Sequence, residues 1–546
     1  MEKRSYRVLL LPFFMGLTVA AGILIGYFLS GSAEHTSSDD RGKLSDAKVN
    51  DILNYILDEY VDTLDATELE DEAISALLSR LDPHSSYIPA TEFAQVNEQM
   101  EGNFDGIGVE FNIQKDTIMV VAAISGGPSE ALGIQSGDRI VEIEGKQVAG
   151  VNITNEDVMK KLRGKKGTRV KVGIYRPGSG KSRLYYTIKR DKIPIYSLDA
   201  ALMVDSQTGY IKISRFSATT FEEYLKAFEK LKNSGMQQMI LDLRDNPGGY
   251  LNAAVDLCDE FLPNNHKIVY TEGKARKREN YDATSFGDFE KGKLVVLIDE
   301  GSASASEIVS GAIQDNDRGW IIGTRSFGKG LVQEEVQFED GSALRLTVAR
   351  YYTPSGRCIQ RNYSNGSDAY YKEVIERMRG TSSDMKEKQG PDSLVFKTKS
   401  GRIVYGGGGI TPDIEVDADT SSYSAYLAEI VSNGLINKFA FDLVDKSRKD
   451  FLKEYVNEKN FAARFDASPY LSNFYEFCKR NGIAPDQKAI QKSSKLMKQQ
   501  LESLVGRALF GNDGYFAVRI KYDNVIAKAI DVMRNGNLAG MKQKNK

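Results

Sequence analysis

The chain opens with an apolar run and then changes its hydrophobic period several times. Residues 8–29 form a 22-residue run that is almost wholly apolar. At 1.5 Å per helical residue, this run would span a bilayer core of about 30 Å. Lys3, Arg4 and Arg7 precede it, which predicts a cytoplasmic N-terminus and an exported remainder. We therefore expect an uncleaved membrane anchor. A cleaved signal peptide is the alternative, with residues 31–33 as a weak cleavage site.

Between residues 44 and 98 the apolar positions recur at helical spacing. Val49, Ile52, Leu53 and Ile56 follow the i, i+3, i+4, i+7 pattern. A second helical segment ends at residues 82–83, because proline disfavours helix in the residue before it. The pattern predicts a helical hairpin packed on the main body, and a contact between two copies is the alternative role.

From residue 99 to residue 191, short alternating runs are separated by glycines. The spacing predicts strands at 106–111, 117–124, 137–145, 169–175 and 184–189, with short helices from Pro128 and over 155–162. This order, with its glycine loop at 106–109, resembles a PDZ domain. The resemblance implies that an extended C-terminal peptide adds as a strand, its carboxylate held by N–H groups near Ile107, Gly108 and Val109. A small β-domain with no ligand is the alternative.

Residues 192–418 alternate between apolar strands and amphipathic helices. The runs at 239–243 and 293–298 are typical of strands buried on both faces. Helices are predicted over 219–234, 252–261 and 307–315, and a hairpin joins 331–338 to 342–352. Beyond residue 419 the pattern is mostly helical, as over 486–509 and 525–533.

The expected fold class is therefore multi-domain α/β, with a β-rich PDZ domain and helical additions at both ends. The expected domains are 1–30 (cytoplasmic stub and transmembrane anchor), 31–43 (polar linker), 44–98 (helical region), 99–191 (PDZ domain), 192–418 (α/β core) and 419–546 (mainly helical C-terminal extension).

The amino-acid composition excludes several classes of partner and of site. The chain has 72 basic and 75 acidic residues among 546, so no basic excess indicates a nucleic-acid partner. Three widely separated cysteines exclude a disulfide framework. The three histidines are His35, His84 and His266, which makes a histidine-rich zinc site improbable. We expect no metal and no cofactor.

A strand followed by a turn of tiny residues and a helix carries three candidate nucleophiles. Ser302, Ser304 and Ser306 follow the strand at 293–298. At a helix N-terminus, a developing oxyanion would meet exposed N–H groups and the positive end of the helix dipole. Simple helix capping is the alternative, and the spacing does not choose among the three serines.

A lysine between two glycines provides a candidate base. Gly328 and Gly330 flank Lys329 at the start of the predicted hairpin, and glycines suit a loop that turns a side chain inward. Burial would favour the neutral amine, which could then accept the proton of a serine. A solvated surface lysine is the alternative.

Together these motifs resemble the carboxyl-terminal processing peptidases, also called tail-specific proteases. The resemblance covers roughly residues 45–416. Besides the PDZ set, the matching segments are 81–87 (LDPHSSY), 243–249 (LRDNPGG), 302–308 (SASASEI), 327–330 (FGKG) with Gln333, and 409–413 (GITPD).

The resemblance assigns roles to individual residues. It implies that Ser304 is the nucleophile, Lys329 the general base and Gln333 the hydrogen-bond partner of that lysine. It implies an oxyanion hole made by the N–H of Ala305 and a glycine of the pair at 248–249, leaving open whether Gly248 or Gly249 serves. Asp315 is a secondary candidate, and the segment containing His84 is structural.

We therefore expect a serine endopeptidase anchored in the cytoplasmic (inner) membrane, with its catalytic part on the periplasmic side. Its partners would be proteins and peptides with free C-termini and the membrane, with a second copy of the chain as a further candidate, and not nucleic acid. Three rival functions are weaker. A scaffold or chaperone on an inactive protease fold predicts a disrupted dyad, and a thioester enzyme using only a backbone oxyanion hole leaves the lysine unexplained. A histidine-dependent protease would need His84 or His266 in a triad.

Overall fold

The computed structural model describes residues 46–177, 183–378, 394–417, 419 and 421–535. The apolar run at 8–29 and the linker at 31–43 lie outside the described residues. Within the described part, no helix is both long and apolar enough to cross a membrane. The chain divides into two compact units, Met1–Ala73 and Ile74–Lys546.

The N-terminal region is helical, as its periodicity predicts. Its helices are α1 (Asp46–Glu59) and α2 (Ala66–Leu78), and α2 crosses the boundary between the two units. Along α1, Val49, Ile52 and Tyr55 are exposed. In the next segment, α3 (Ala90–Glu101) lies between two short strands along the chain, β1 (Ser86–Ile88) and β2 (Asn103–Gly106).

The PDZ-like region is a twisted antiparallel sheet with two short helices. Its elements are β3 (Val109–Gln114), β4 (Thr117–Ala123), α4 (Pro128–Ala131), β5 (Arg139–Ile143), β6 (Lys146–Gln147), α5 (Asn155–Leu162), β7 (Arg169–Tyr175) and β8 (Leu184–Lys189). The strand order is β3-β4-β5-β7-β8, which leaves β3 at an outer edge. Alternate residues such as Ile118, Val120 and Val172 fill the core. Strand β9 (Asp191–Pro194) pairs with β2.

A six-stranded sheet forms the centre of the molecule. It has the order β10-β11-β12-β15-β16-β21, in which only the β10–β11 pair is antiparallel. The strands are β10 (Leu198–Met203), β11 (Thr208–Ile213), β12 (Gln238–Asp242), β15 (Lys293–Ile298), β16 (Trp320–Gly323) and β21 (Ile414–Glu415). The predicted buried strands are confirmed, since β12 and β15 pair in the sheet and all their residues but the first of each are buried.

Helices cover both faces of this sheet. One face packs against α6 (Thr220–Asn233), α7 (Leu251–Asp259) and α8 (Ala305–Asp315). The other face packs against α15 (Asn524–Asn535), whose Val525, Ile526 and Ala529 contact sheet residues such as Ile240 and Leu297. The last helix described is therefore a layer of the α/β core.

A second sheet brings distant segments beside the core. Its strands β13 (Lys267–Glu272), β14 (Glu279–Asp282), β17 (Leu331–Gln337) and β18 (Ala343–Tyr352) join β1 in the order β1-β18-β13-β14, with β17 also on β18. Ser86 of β1 pairs with Arg345 of β18. The segment at 81–87 is therefore held against the predicted hairpin. Three small elements follow, namely α9 (Ser367–Met378), β19 (Val395–Lys397) and β20 (Ile403–Tyr405).

The rest of the C-terminal region is a helical body with its own core. Its helices are α10 (Ala425–Ser432), α11 (Leu435–Glu454), α12 (Glu458–Arg464), α13 (Leu471–Arg480) and α14 (Gln487–Tyr522). Aromatic residues such as Phe461 and Phe474 are fully buried there. Ion pairs join this body to the PDZ-like sheet, with Asp445 2.7 Å from Arg139 and Arg507 2.8 Å from Glu110.

We predict that Ile526→Ala lowers the free energy of unfolding of the core by about 2–5 kcal/mol, because Ile526 is 2% exposed on the sheet. Trp320 is the sole tryptophan and packs against the same cluster, so its fluorescence during urea unfolding measures the effect. As a control, Val456→Ala, at a position 80% exposed, should change the value by less than about 0.5 kcal/mol. Equal effects of the two variants would show that α15 is not part of the cooperative core.

Candidate active site

The three serines of the turn before α8 lie in different surroundings. Ser302 and Ser306 are fully buried. The Ser302 hydroxyl donates to the carbonyl of Leu243 at 2.9 Å, and the Ser306 hydroxyl donates to that of Asn246 at 2.9 Å. Ser304 is only half-buried. Ser302 and Ser306 therefore hold the turn against the loop after β12. Ser304 is the serine whose side chain is accessible at the surface of the site.

Ser304 has a backbone conformation that few residues adopt. Its φ is +54°, a region that is costly for a side chain with a Cβ and that is often found at functional sites. Ser304 precedes Ala305, the first residue of α8. The N–H of Ala305 has no partner within the helix, because the first N–H groups of a helix never do. A donor is therefore available directly beside the Ser304 side chain.

A buried carboxylate joins the serine turn to the lysine loop. Glu307 is fully buried, and one of its oxygens accepts from the backbone N–H of Ser304 at 2.9 Å and from that of Lys329 at 2.8 Å. Its other oxygen accepts from the N–H of Gly328 at 2.7 Å and from the Ser326 hydroxyl at 2.5 Å. Burial raises the pKa of Glu307, and these hydrogen bonds oppose that shift.

Lys329 lies in a half-buried position with one polar partner. Its Nζ donates to Oε1 of Gln333 at 2.9 Å, and Nε2 of Gln333 donates to the carbonyl of His84. Burial lowers the pKa of Lys329, and the charge of Arg345 lowers it further. Within the described residues no direct hydrogen bond joins Lys329 to Ser304, although Glu307 holds the two backbones together. Such bonds are often long before a substrate binds.

His84 contributes to the site through its backbone. Asp82 accepts from the N–H of His84 at 2.8 Å and from the Ser85 hydroxyl at 2.6 Å, so the segment at 81–87 is tightly folded. The imidazole packs edge-on against Tyr370, with ring centroids 5.4 Å apart. Burial and the nearby charge of Lys329 lower the pKa of His84 to about 4. The ring is therefore neutral at neutral pH, and the carbonyl orients Gln333.

The loop after β12 brings a glycine pair against the serine. A Cβ added to Gly248 would lie 2.8 Å from the Cβ of Ser304 and 2.9 Å from the nitrogen of Ala305. Only glycine fits there, and its φ of +95° also favours glycine. The N–H of Gly248 donates to Oδ1 of Asn246 at 2.9 Å. No partner of the Gly249 N–H is found among the residues that the structure describes.

Asp315 lies away from these groups. Asp315 is the last residue of α8, whereas Ser304 precedes the first. At a rise of about 1.5 Å per residue, the whole length of the helix separates the two. Its carboxylate forms a fully buried ion pair with Arg357 at 2.8 Å and accepts from the Thr353 hydroxyl at 2.5 Å. The structure therefore does not bring Asp315 together with the other candidate residues.

The predicted peptide-binding loop also has free donors. The carbonyl of Ile107 accepts from the Ser129 hydroxyl at 2.5 Å, and that of Gly108 accepts from the N–H of Ile124 at 3.0 Å. In the described structure the N–H groups of Ile107 and Gly108 have no partner. The loop leads into β3, starting at Val109, on the outer edge of its sheet. This is the arrangement that strand addition requires.

Sequence reasoning missed two contributors to the site. Glu307 was not singled out, although a serine followed three residues later by a glutamate is a capping-box pattern. The second is Tyr351, whose hydroxyl donates to the carbonyl of Ser304 at 3.2 Å. Its sequence context is that of an ordinary aromatic residue in a strand, so the sequence does not indicate a role in the site. No group of three or more His, Cys, Asp or Glu side chains in the described part is arranged to hold a metal.

Three family models match regions of the chain. The model of peptidase family S41 matches residues 207–366, and that of the PDZ domain matches residues 106–184. A family of unknown function matches residues 426–511, within the helical C-terminal body.

Bacterial proteases are similar over much of the chain. The carboxy-terminal-processing protease of Bartonella bacilliformis is 38% identical over 319 residues, which are 58% of this chain and 72% of that protein. The carboxy-terminal processing protease CtpA of Bacillus subtilis is 34% identical, over 65% of this chain and 76% of its own. A probable CtpA-like serine protease of Staphylococcus saprophyticus is 30% identical, over 84% of this chain and 94% of its own.

Proposed function

Because the chain belongs to peptidase family S41, among the carboxy-terminal processing serine proteases, we propose that it cleaves protein chains with Ser304 as nucleophile and Lys329 as general base. The single observation that carries this assignment is the Glu307 carboxylate, which holds the backbones of both residues on one oxygen. Of the three serines, Ser304 is the one that is not fully buried.

The reaction is an acyl transfer. Ser304 attacks the scissile carbonyl while neutral Lys329 takes the hydroxyl proton, which it then gives to the leaving amine. Water, deprotonated by the same lysine, releases the acyl-enzyme. Gln333 accepts from the amine through its Oε1, and its own NH2 is held by His84. This arrangement keeps the Lys329 side chain at the site without adding a charge.

The oxyanion of the tetrahedral intermediate would be stabilised by two backbone donors. The N–H of Ala305 is the first, since it has no helical partner. We assign Gly249 as the second, because the N–H of Gly248 already donates to Asn246. Gly248 instead provides close approach, since its Cα lies against Ser304 where a side chain would clash.

The PDZ domain would select chains by their C-termini. A peptide would pair with the free edge of β3 and place its carboxylate near the unpartnered N–H groups of Ile107 and Gly108. A scaffold or chaperone function on an inactive fold is less well supported, because the candidate serine, lysine and glutamine are all present with ordered partners.

We also propose that residues 8–29 anchor the enzyme in the cytoplasmic membrane and that its substrates are exported proteins. The support is the 22-residue apolar run behind three basic residues. Fused after residue 40, a reporter that works only outside the cytoplasm should be active, and a reporter that works only inside should be inactive. The opposite pattern would refute this topology.

The Ser304–Lys329 assignment predicts that three variants lose activity without unfolding. Ser304→Ala and Lys329→Ala should each lower kcat/KM for peptide cleavage by about 10³-fold or more. Lys329→Arg should be equally inactive, because a guanidinium does not lose its proton in this range. Cleavage assays should be paired with thermal unfolding to confirm the fold. If Lys329→Arg remained active, Lys329 would be a surface charge and not the base.

The surroundings of Lys329 predict a shift in the pH profile. The charge of Arg345 lowers the pKa of Lys329, so Arg345→Gln should raise that pKa and move the acid limb of kcat/KM to higher pH. Activity at a fixed pH on that limb should therefore fall. Arg276→Gln is the control, since Arg276 is also paired with a glutamate of β17 but does not affect the pKa of Lys329. A downward shift, or no shift, would contradict the role of Lys329.

The PDZ assignment predicts that amidation of the peptide C-terminus weakens binding. Hydrogen bonds to a charged group contribute roughly 1.5–3 kcal/mol, so the affinity should fall by about 10- to 100-fold. The measurement is titration of the inactive Ser304→Ala protein with a labelled peptide that ends in apolar residues, in acid and amide forms. Equal affinities would show that the loop does not recognise a free carboxylate.

A further inference from the structure

One aspartate joins the helical C-terminal body to the loop that carries the glycine pair. Asp523 lies between α14 and α15. Its Oδ1 accepts from the N–H groups of Val525 and Ile526 at 2.9 and 3.0 Å, which caps α15. Its Oδ2 lies 2.9 Å from Nη1 of Arg244. The Asp523 side chain is 11% exposed, so this ion pair is shielded from water.

Arg244 belongs to a small cluster of buried charges. Its Nε and Nη2 donate to the two oxygens of Asp242 at 3.0 and 2.6 Å. Lys212, also almost buried, lies 3.5 Å from Asp242 and donates to the carbonyl of Arg244. Two cations thus face two carboxylates, Asp242 and Asp523. Burial raises the pKa of Asp199 and of Asp299 and the charge of Lys212 opposes that shift, so Lys212 has other carboxylates nearby. Neutralising Asp523 would therefore fall on Arg244, which among the described residues would keep only Asp242 as an ion-pair partner, and a buried charge that loses compensation is unfavourable.

Arg244 is also part of the loop that reaches the serine. Residues 243–250 connect β12 to α7. In this loop the N–H of Asp245 donates to Asp299 at 2.8 Å, and the carbonyl of Asn246 accepts from the N–H of Ala303 at 2.9 Å. Gly248 then lies against the Cβ of Ser304. Because Gly248 is already in close contact with Ser304, we expect a displacement of Arg244, four residues earlier, to change the position of the glycine pair relative to Ser304.

We propose that Asp523 is a positioning residue for the oxyanion hole, acting through Arg244. The helical C-terminal body thereby supports transition-state stabilisation in the protease core. The inference rests on the proposed function, since it presupposes that Gly249 donates to the oxyanion beside Ser304. Asp523 itself touches neither substrate nor the reacting atoms.

The test is Asp523→Asn in the full chain. Asparagine caps helices as well as aspartate does, so the cap of α15 is kept while the charge facing Arg244 is lost. We expect kcat for peptide cleavage to fall about tenfold, with KM changed less than twofold. Affinity for a peptide aldehyde, whose hemiacetal oxygen occupies the oxyanion hole, should fall by a similar factor. If Asp523 had only a structural role, the variant would have a lower midpoint of thermal unfolding. The folded protein would then keep the wild-type kcat and the wild-type affinity for the aldehyde.

Asp486→Asn is the matched control. Asp486 caps α14 through the N–H groups of Lys488 and Ala489 at 2.9 and 3.2 Å, but it is exposed. This variant should leave kcat and aldehyde affinity unchanged. Equal losses in both variants, or wild-type kcat in Asp523→Asn, would overturn the inference.

A second variant covers the case in which Asp523→Asn does not fold. Asp523→Glu keeps the charge but moves the carboxylate by one methylene, so kcat and aldehyde affinity should fall together, by a few-fold. Unchanged values in a folded Asp523→Glu protein would then count against the inference. Failure of the proposed function itself would be seen separately, as cleavage that persists in Ser304→Ala.

Discussion

The site depends on the requirement that a buried carboxylate be satisfied. Glu307 is removed from water, and an unpaired charge in that position would be very costly. Its donors are three backbone N–H groups and the hydroxyl of Ser326. Two of those N–H groups belong to Ser304 and Lys329. The hydrogen bonds that Glu307 needs can therefore form only when the serine turn and the lysine loop are in place beside each other. A change that moves either segment leaves a buried charge short of a donor.

The same carboxylate works against the lysine that it helps to place. Its negative charge favours the ammonium form of Lys329, as does that of Asp82, whereas burial and Arg345 favour the neutral amine. The net direction is a lowered pKa. The choice of Gln333 as the direct partner of Lys329 fits this balance, because a neutral amide fixes the side chain without the further stabilisation of the ammonium that a carboxylate would give.

The parts of the fold with strong local signals could be predicted from the sequence. The strand Lys293–Ile298 and the helix Asn155–Leu162 agree with their predicted bounds, because an all-apolar run and a capped amphipathic stretch each have one favourable structure. The strands β10, β16 and β21 were not predicted. They are short and lie towards the edges of the sheet, where tertiary pairing rather than local pattern decides the conformation.

The candidate site was predicted by resemblance more than by residue chemistry. Spacing alone left Ser302, Ser304 and Ser306 equivalent. The structure separates them, since the hydroxyls of Ser302 and Ser306 are held by carbonyls of the loop at 243–246. The packing of α15 on the central sheet could not be predicted from the sequence either. Its periodicity predicts a helix, but nothing local states that Val525 and Ile526 cover the sheet rather than the helical body.

The position of α15 has a consequence for how the molecule is made. The strands β11 to β16 are synthesised about two hundred to three hundred residues before α15, yet their apolar side chains, Ile240 and Leu297 among them, are not fully covered until the end of α14 and α15 are in place. Contacts so distant in sequence form slowly, and a bare sheet face is prone to aggregate or to attract chaperones. The core of the protease therefore cannot close until nearly the whole chain has been delivered to the compartment in which it folds. Chains truncated before α15 would expose the uncovered face to the proteases and chaperones of that compartment.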